Sequence, residues 1–155
     1  MEYMSIVHFS GEFAAPLRGV DVSNALLELL SVVVWGDLDF LVLDVPPGIG
    51  DATLDLVRLV DRAEFLVVTV SSRLAFETVR RLVGLLQSLK VPMLGVVENM
   101  MRARSDVVEK EAKALGLKFL GRIPFDEKVE ETLGKPDKLL DTVFAEKVKQ
   151  IAMKV

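Results

Sequence analysis

The feature that most constrains this chain is an alternation. Short apolar runs at residues 40–45, 65–70 and 93–97 are separated by longer segments whose apolar residues recur at helical spacing. Strands that are apolar on both faces lie beneath helices on each side, and the intervening helices are the crossovers that parallel strands require. The pattern predicts an α/β fold: a three-layer, mostly parallel sheet with helices on both faces. Strands are expected at 4–9, 38–45, 65–70, 93–97 and 118–123, the last at an edge. Helices are expected at 22–34, from 51 onward, and at 74–89, 105–115 and 143–153.

Local chemistry sets the boundaries. Asp21 and Ser23 are potential caps for a first helix that carries Leu26, Leu27, Leu30 and Val34. Asp51 can cap the second, whose apolar residues are Leu54, Val57 and Val60. The third is expected to turn Leu82, Leu85 and Leu89 inward, and Gly116 closes the fourth. Gly134-Lys135-Pro136-Asp137 reads as a surface turn.

A chain of 155 residues, 51% hydrophobic and 27% charged, is a one-domain length with enough material for a core. Its apolar blocks fall well short of the ~20 residues needed to span a membrane. Met1-Glu2-Tyr3-Met4-Ser5 lacks the basic start and apolar stretch of a secretory signal, so a cytoplasmic protein is expected. A net charge of −4 gives no basic field, and nucleic acid is not expected as a partner. The absence of cysteine excludes disulfides, thiolate nucleophiles and cysteine-bound clusters contributed by these residues. The one histidine, His8, has no acid and nucleophile around it in sequence and reads as structural.

Ligands of open parallel sheets gather at the carboxyl ends of the strands, and Asp44 stands at that end of the 38–45 run. A carboxylate there can hold Mg²⁺ directly or through water. Gly48 and Gly50 let the backbone approach a terminal phosphate, while Pro46-Pro47 stiffen one side of the loop. The alternative is that Asp44 terminates a strand, Pro-Pro-Gly is a turn and Asp51 is a helix cap.

Residues 35–51, Trp35-Gly36-Asp37-Leu38-Asp39-Phe40-Leu41-Val42-Leu43-Asp44-Val45-Pro46-Pro47-Gly48-Ile49-Gly50-Asp51, resemble the switch region of Mrp/MinD-type ATPases, a ParA-like group with a deviant phosphate loop, and specifically the Mrp iron–sulfur carrier branch. Pro16-Leu17-Arg18-Gly19 resembles the segment preceding the helix in that branch, and the stretch from Val91-Pro92-Met93 to Glu98-Asn99-Met100 and Gly121-Arg122-Ile123-Pro124-Phe125-Asp126 resemble its late strand with the adenine loop and the segment following it, all in the same order. The resemblance implies a single nucleotide-binding domain over 1–155 with ATP and Mg²⁺ as cofactors. It implies that Asp44 is the water-mediated magnesium residue, that Pro47 and Gly48 lie by the γ-phosphate, and that Asn99 reads adenine, with Pro124 and Asp126 beside the base. An asparagine carboxamide offers both a donor and an acceptor to adenine. Its alternative is a strand-end turn, and the alternative for Ile123–Asp126 is an Ile-Pro strand edge followed by a capping Asp.

Two family features do not occur in these 155 residues. No Gly-x-x-x-x-Gly-Lys-Ser/Thr turn is present, nor the family's two-lysine phosphate loop, which would precede the first matched segment. The paired-cysteine segment is absent too: Met100-Met101-Arg102-Ala103-Arg104-Ser105 stands in its place. The expectation is a nucleotide-binding fold without its phosphate-loop strand and with weak or no ATPase activity alone. No iron–sulfur cluster is expected on it. The gap in the sheet would be closed by the flanking strands moving together, by a second copy, or by a partner chain supplying a strand. The alternative function is a noncatalytic dimerising or partner-binding protein linked to iron–sulfur cluster assembly.

Overall fold

The computed structural model describes residues 3–5 and 19–155. The chain divides into two compact units, Met1–Arg62 and Ala63–Val155. His8, Pro16, Leu17, Arg18 and most of the expected strand 4–9 lie outside the described residues.

The first unit holds helices α1 (Gly19–Val32) and α2 (Asp51–Leu59). Asp21 and Ser23 are not caps, because α1 begins before them; the Ser23 hydroxyl instead donates to the Asp55 carboxylate on α2. Beyond the β-branched end of α1, the Trp35 indole N–H donates to the Leu30 carbonyl at 3.4 Å. That bond satisfies one of the carbonyls a helix end leaves open. Gly50, not Asp51, is the cap of α2, and its carbonyl accepts from the Thr53 and Leu54 amides at 3.1 and 3.3 Å. Asp51 is the first helical residue, where its negative charge suits the positive end of the helix.

The 38–45 run forms no strand. Phe40 and Val42 are 84% and 89% exposed. An extended segment gains stability only through a ladder partner, and among the described residues no strand pairs with it. Apolar patterning supplied the tendency without the neighbour.

The second unit is the sheet. Its elements are β1 (Phe65–Thr69), α3 (Arg73–Ser88), β2 (Met93–Met101), α4 (Val107–Ala114), β3 (Phe119–Pro124), α5 (Lys128–Glu131), α6 (Pro136–Leu140) and α7 (Val143–Ala152). The three strands are parallel in the order β1-β2-β3. Val96 and Val97 are successive in β2 and point to opposite faces. Val96 packs with Val67, Phe76, Val79, Val83, Val108 and Ala112, beneath α3 and α4. Val97 packs with Leu120, Ile123 and Ile151, against Phe144 of α7. Helices therefore cover both faces of the sheet, as the strand pattern requires.

Several boundaries differ from expectation. The Ser72 hydroxyl caps α3 by accepting from the Ala75 amide at 3.4 Å. The inward stripe of α3 is Phe76, Val79, Val83 and Leu86, not Leu82, Leu85 and Leu89, of which Leu89 is exposed. Two apolar stripes compete on this helix, and the one that meets the sheet wins. β2 continues to Met101 rather than ending at Val97. The stretch 134–137 is a turn only at Gly134, which has a φ of +73°; Pro136 then opens α6 at the position where its missing N–H costs nothing.

Gly95 is where β3 comes closest. Its φ is +149°, and a Cβ there would run into the Lys118 carbonyl and the Leu120 side chain. Gly84, exposed on α3, has open space around it. We predict that Gly95→Ala lowers stability by roughly 1–3 kcal/mol in urea denaturation. Gly84→Ala should raise it by about 0.5–1 kcal/mol, because alanine loses less backbone entropy in a helix.

Candidate functional site

The carboxyl ends of the three parallel strands gather a polar cluster. Glu98 lies inside the apolar run of β2 and is completely buried. The Ser71 hydroxyl, in the loop after β1, donates to Glu98 Oε1. Arg122, which faces Glu98 across the β2–β3 ladder, donates through Nε to Glu98 Oε2 at 3.0 Å. Its other arm reaches two carboxylates at the start of α4, Asp106 at 3.2 Å and Glu109 at 2.9 Å. The same guanidinium stands 4.8 Å from the centre of the Phe119 ring.

A buried carboxylate is tolerated only when paired and hydrogen-bonded, and Glu98 has one strand-end neighbour on each side to do this. Burial pulls the Arg122 guanidinium down, but its bonds to Glu109 and Glu98 outweigh that and hold it above its ordinary value. Lys113, at 2.8 Å, and Arg122 together hold the Glu109 carboxyl below its ordinary value of 4.5.

Immediately after Glu98 the ladder bulges. Glu98 pairs with Arg122 and Met101 with Pro124, so Asn99 and Met100 together oppose the single residue Ile123. Met100 adopts a φ of +55°. Such a left-handed non-glycine residue costs about 1–3 kcal/mol, and bulges of this kind re-aim side chains beside ligand sites. The Met100 amide donates to Asn99 Oδ1 at 2.8 Å. That oxygen retains a second lone pair, and among the described residues no acceptor takes the protons of the Asn99 amide nitrogen, which can serve a ligand. The turn and the ligand-reading roles of Asn99 are thus compatible.

Beyond the bulge, the Phe125 amide donates to the Met101 carbonyl at 3.0 Å, bringing Pro124 next to the end of β2. The Arg102 guanidinium lies 4.2 Å from the centre of the half-exposed Phe125 ring. Asp126 has a structural job: Oδ1 accepts from the Lys128 amide at 3.1 Å and Oδ2 from the Phe144 amide at 3.2 Å. It ties the starts of α5 and α7 together.

In the first unit, Asp44 and Pro47 are exposed, and Gly48 has a φ of +96°. The buried Thr53 hydroxyl donates to the Gly48 carbonyl at 3.3 Å, fastening the loop to α2. Among the described residues no three His, Asp or Glu side chains cluster as a metal cage. A lone exposed carboxylate such as Asp44 fits a magnesium ion that keeps waters and phosphate oxygens as its main ligands. The second unit thus places Asn99 in the bulge and Pro124 opposite Met101, two residues further along β2, with Asp126 anchoring the loop beyond. Glu98 and Arg122 escaped the sequence reading. Their signal is a glutamate interrupting an apolar strand, which demands a cationic partner nearby.

A family model described as the NUBPL iron-transfer P-loop NTPase, of the ParA group, matches residues 1–155. The chain belongs to this family. It is 35% identical over 169 aligned residues to the iron-sulfur cluster carrier protein of Methanocaldococcus jannaschii, covering 98% of this chain and 58% of that protein. It is 37% identical to the protein of that name from Aquifex aeolicus, covering 79% of this chain and 37% of that one. The Fe-S cluster assembly factor HCF101, chloroplastic, of Arabidopsis thaliana is 39% identical over 109 residues, which are 68% of this chain and 20% of the factor. The chain spans little more than half the length of the archaeal carrier it matches. Without cysteine, this NUBPL-family chain offers no thiolate to a cluster. Among the described residues no helix is long and apolar enough to cross a membrane.

Two stability predictions follow from the charge cluster. Arg122→Ala leaves Glu98 buried without its cation and should cost roughly 3–5 kcal/mol in denaturant unfolding. For Glu109 the folded value is depressed, so its contribution is present above the ordinary value and lost as pH falls through the folded one. Glu109→Gln should therefore be less stable than wild type at neutral pH, with the difference closing in acid. A difference that persists in acid would contradict this.

Proposed function

We propose that the chain is one nucleotide-binding domain of an ATPase that serves iron–sulfur cluster assembly, acting in the cytoplasm, and that its second unit provides the base side of the nucleotide site. The supporting observation is the bulge at Asn99. It sits at the carboxyl end of a parallel strand, where this class of sheet takes its ligands, and leaves the carboxamide donors open. Adenine presents a ring-nitrogen acceptor and an exocyclic amine donor, which one carboxamide matches. Pro124 lies beside the base, and Asp126 holds the loop that carries it. For the first unit, taken by itself, Asp44 is proposed as a water-mediated magnesium residue and Pro47 and Gly48 as neighbours of a γ-phosphate.

The phosphates need more than this. A phosphate loop supplies backbone N–H groups, a lysine and a helix N-terminus, and the 155 residues contain no such motif. On this reading ATP binds these residues weakly, and turnover requires a phosphate loop from outside them. The cluster, when one is carried, is held by thiolates from outside these 155 residues.

A second reading is a noncatalytic protein that binds a second copy or a partner strand. The exposure of Phe40 and Val42 favours it, because contiguous apolar surface normally marks a face meant to be covered.

Calorimetric titration with Mg-ATP separates the two. The nucleotide reading predicts weak, saturable heat that Asn99→Ala abolishes, with no phosphate release by the chain alone. No heat at millimolar ATP would contradict it, and a concentration-dependent dimer in light scattering would then support the second.

A further inference from the structure

Resting on the nucleotide reading, we infer that the Glu98–Arg122 pair is a positioning device that pins the bulge and thereby aims the Asn99 carboxamide at the base. The bulge begins at the residue after Glu98 and ends at Met101, so its two flanks are the Glu98/Arg122 and Met101/Pro124 pairs. Side chains alternate along a strand, and sliding the ladder by one residue turns every following side chain to the other face. Removing the bulge while Met101 stays opposite Pro124 would set Met100 opposite Ile123 and Asn99 opposite Arg122, turning Asn99 to the other face and carrying Glu98 out of register with Arg122. The relaxed ladder would also relieve the left-handed backbone of Met100. Something must hold the strained register in place.

The Glu98 carboxylate is well placed to do so. It is completely buried, and both its oxygens are engaged, one by Ser71 beyond β1 and the other by Arg122 on β3. Charge-assisted bonds in a buried setting are directional and costly to break. Arg122 is fixed in turn by Asp106 at the cap of α4, by Glu109 on α4 and by the Phe119 ring, so it cannot follow a sliding strand. The pair thus locks β2 to both neighbouring strand ends one residue before Asn99.

The test uses two variants of the full chain. Glu98→Met/Arg122→Met removes both charges without leaving a carboxylate buried alone, and Glu98→Gln keeps the shape and the Ser71 bond if the paired variant fails to fold. Hydrogen exchange of the Met100 amide in the unliganded chain reads the bulge directly. Titration with Mg-ATP and Mg-GTP reads the aim of Asn99. In the paired variant, Met100 exchange should speed up about tenfold or more, and the preference for ATP over GTP should fall by about tenfold. Glu98→Gln should move both in the same direction by less. A folded paired variant that keeps wild-type Met100 protection overturns the inference. If wild type gives heat with neither nucleotide, the nucleotide reading fails, and Met100 exchange alone decides whether the pair pins the bulge.

Discussion

The second unit depends on the burial of β2 from both sides. Val96 is sealed beneath α3 and α4 and Val97 beneath α7, so successive residues of this strand belong to the hydrophobic clusters on its two faces. Its neighbours are parallel and can be reached only through crossovers, the helices α3 and α4 that seal the Val96 face, while α7, after β3, seals the other. Gly95 allows β3 to come close enough for Leu120 to be fully buried. With the strand held this firmly, a charge at position 98 has no route to water and must be met within the protein.

That constraint turns packing into chemistry. Ser71, Glu98 and Arg122 come from three successive strand ends, and their bonds draw those ends into one polar floor. The bulge, Asn99 and the Arg102–Phe125 stack follow directly beyond it. Membership of the NUBPL iron-transfer P-loop NTPase family agrees with such a sheet, and the relatives it resembles are named as iron-sulfur cluster carriers and assembly factors.

Much of this was legible in the sequence, for a physical reason. Residues 65–70, 93–97 and 118–123 are apolar runs between helical patterns, and each appears as a strand within a few residues of its expected bounds because its neighbours in space also follow in sequence. The 38–45 run carried an equally apolar signal, yet a strand is a relation between two segments and pattern reports only one of them. The α3 stripe was misjudged because leucine and valine occupy two faces of that helix. At the candidate site, motif resemblance singled out Asn99 and Pro124, and Asp126 was readable as a local cap, which its bond from the Lys128 amide bears out; its bond from Phe144, 18 residues further along the chain, was not readable. Glu98 and Arg122 lay within quoted motifs, but only their burial and mutual distance identify them as a pair.

The central claim is that Asn99 presents free amide donors to a nucleobase. The chain contains four side-chain carboxamides, Asn24, Gln87, Asn99 and Gln150, so their NH₂ resonances in a nitrogen–proton correlation spectrum are few enough to assign by single substitution. On adding Mg-ATP, the account predicts that the Asn99 pair shifts with saturating dependence while the Gln87 pair, bonded to the Leu115 carbonyl, and the Gln150 pair, bonded to Glu146, stay in place. An Asn99 pair that remains unmoved while other resonances of the chain report ATP binding would contradict it.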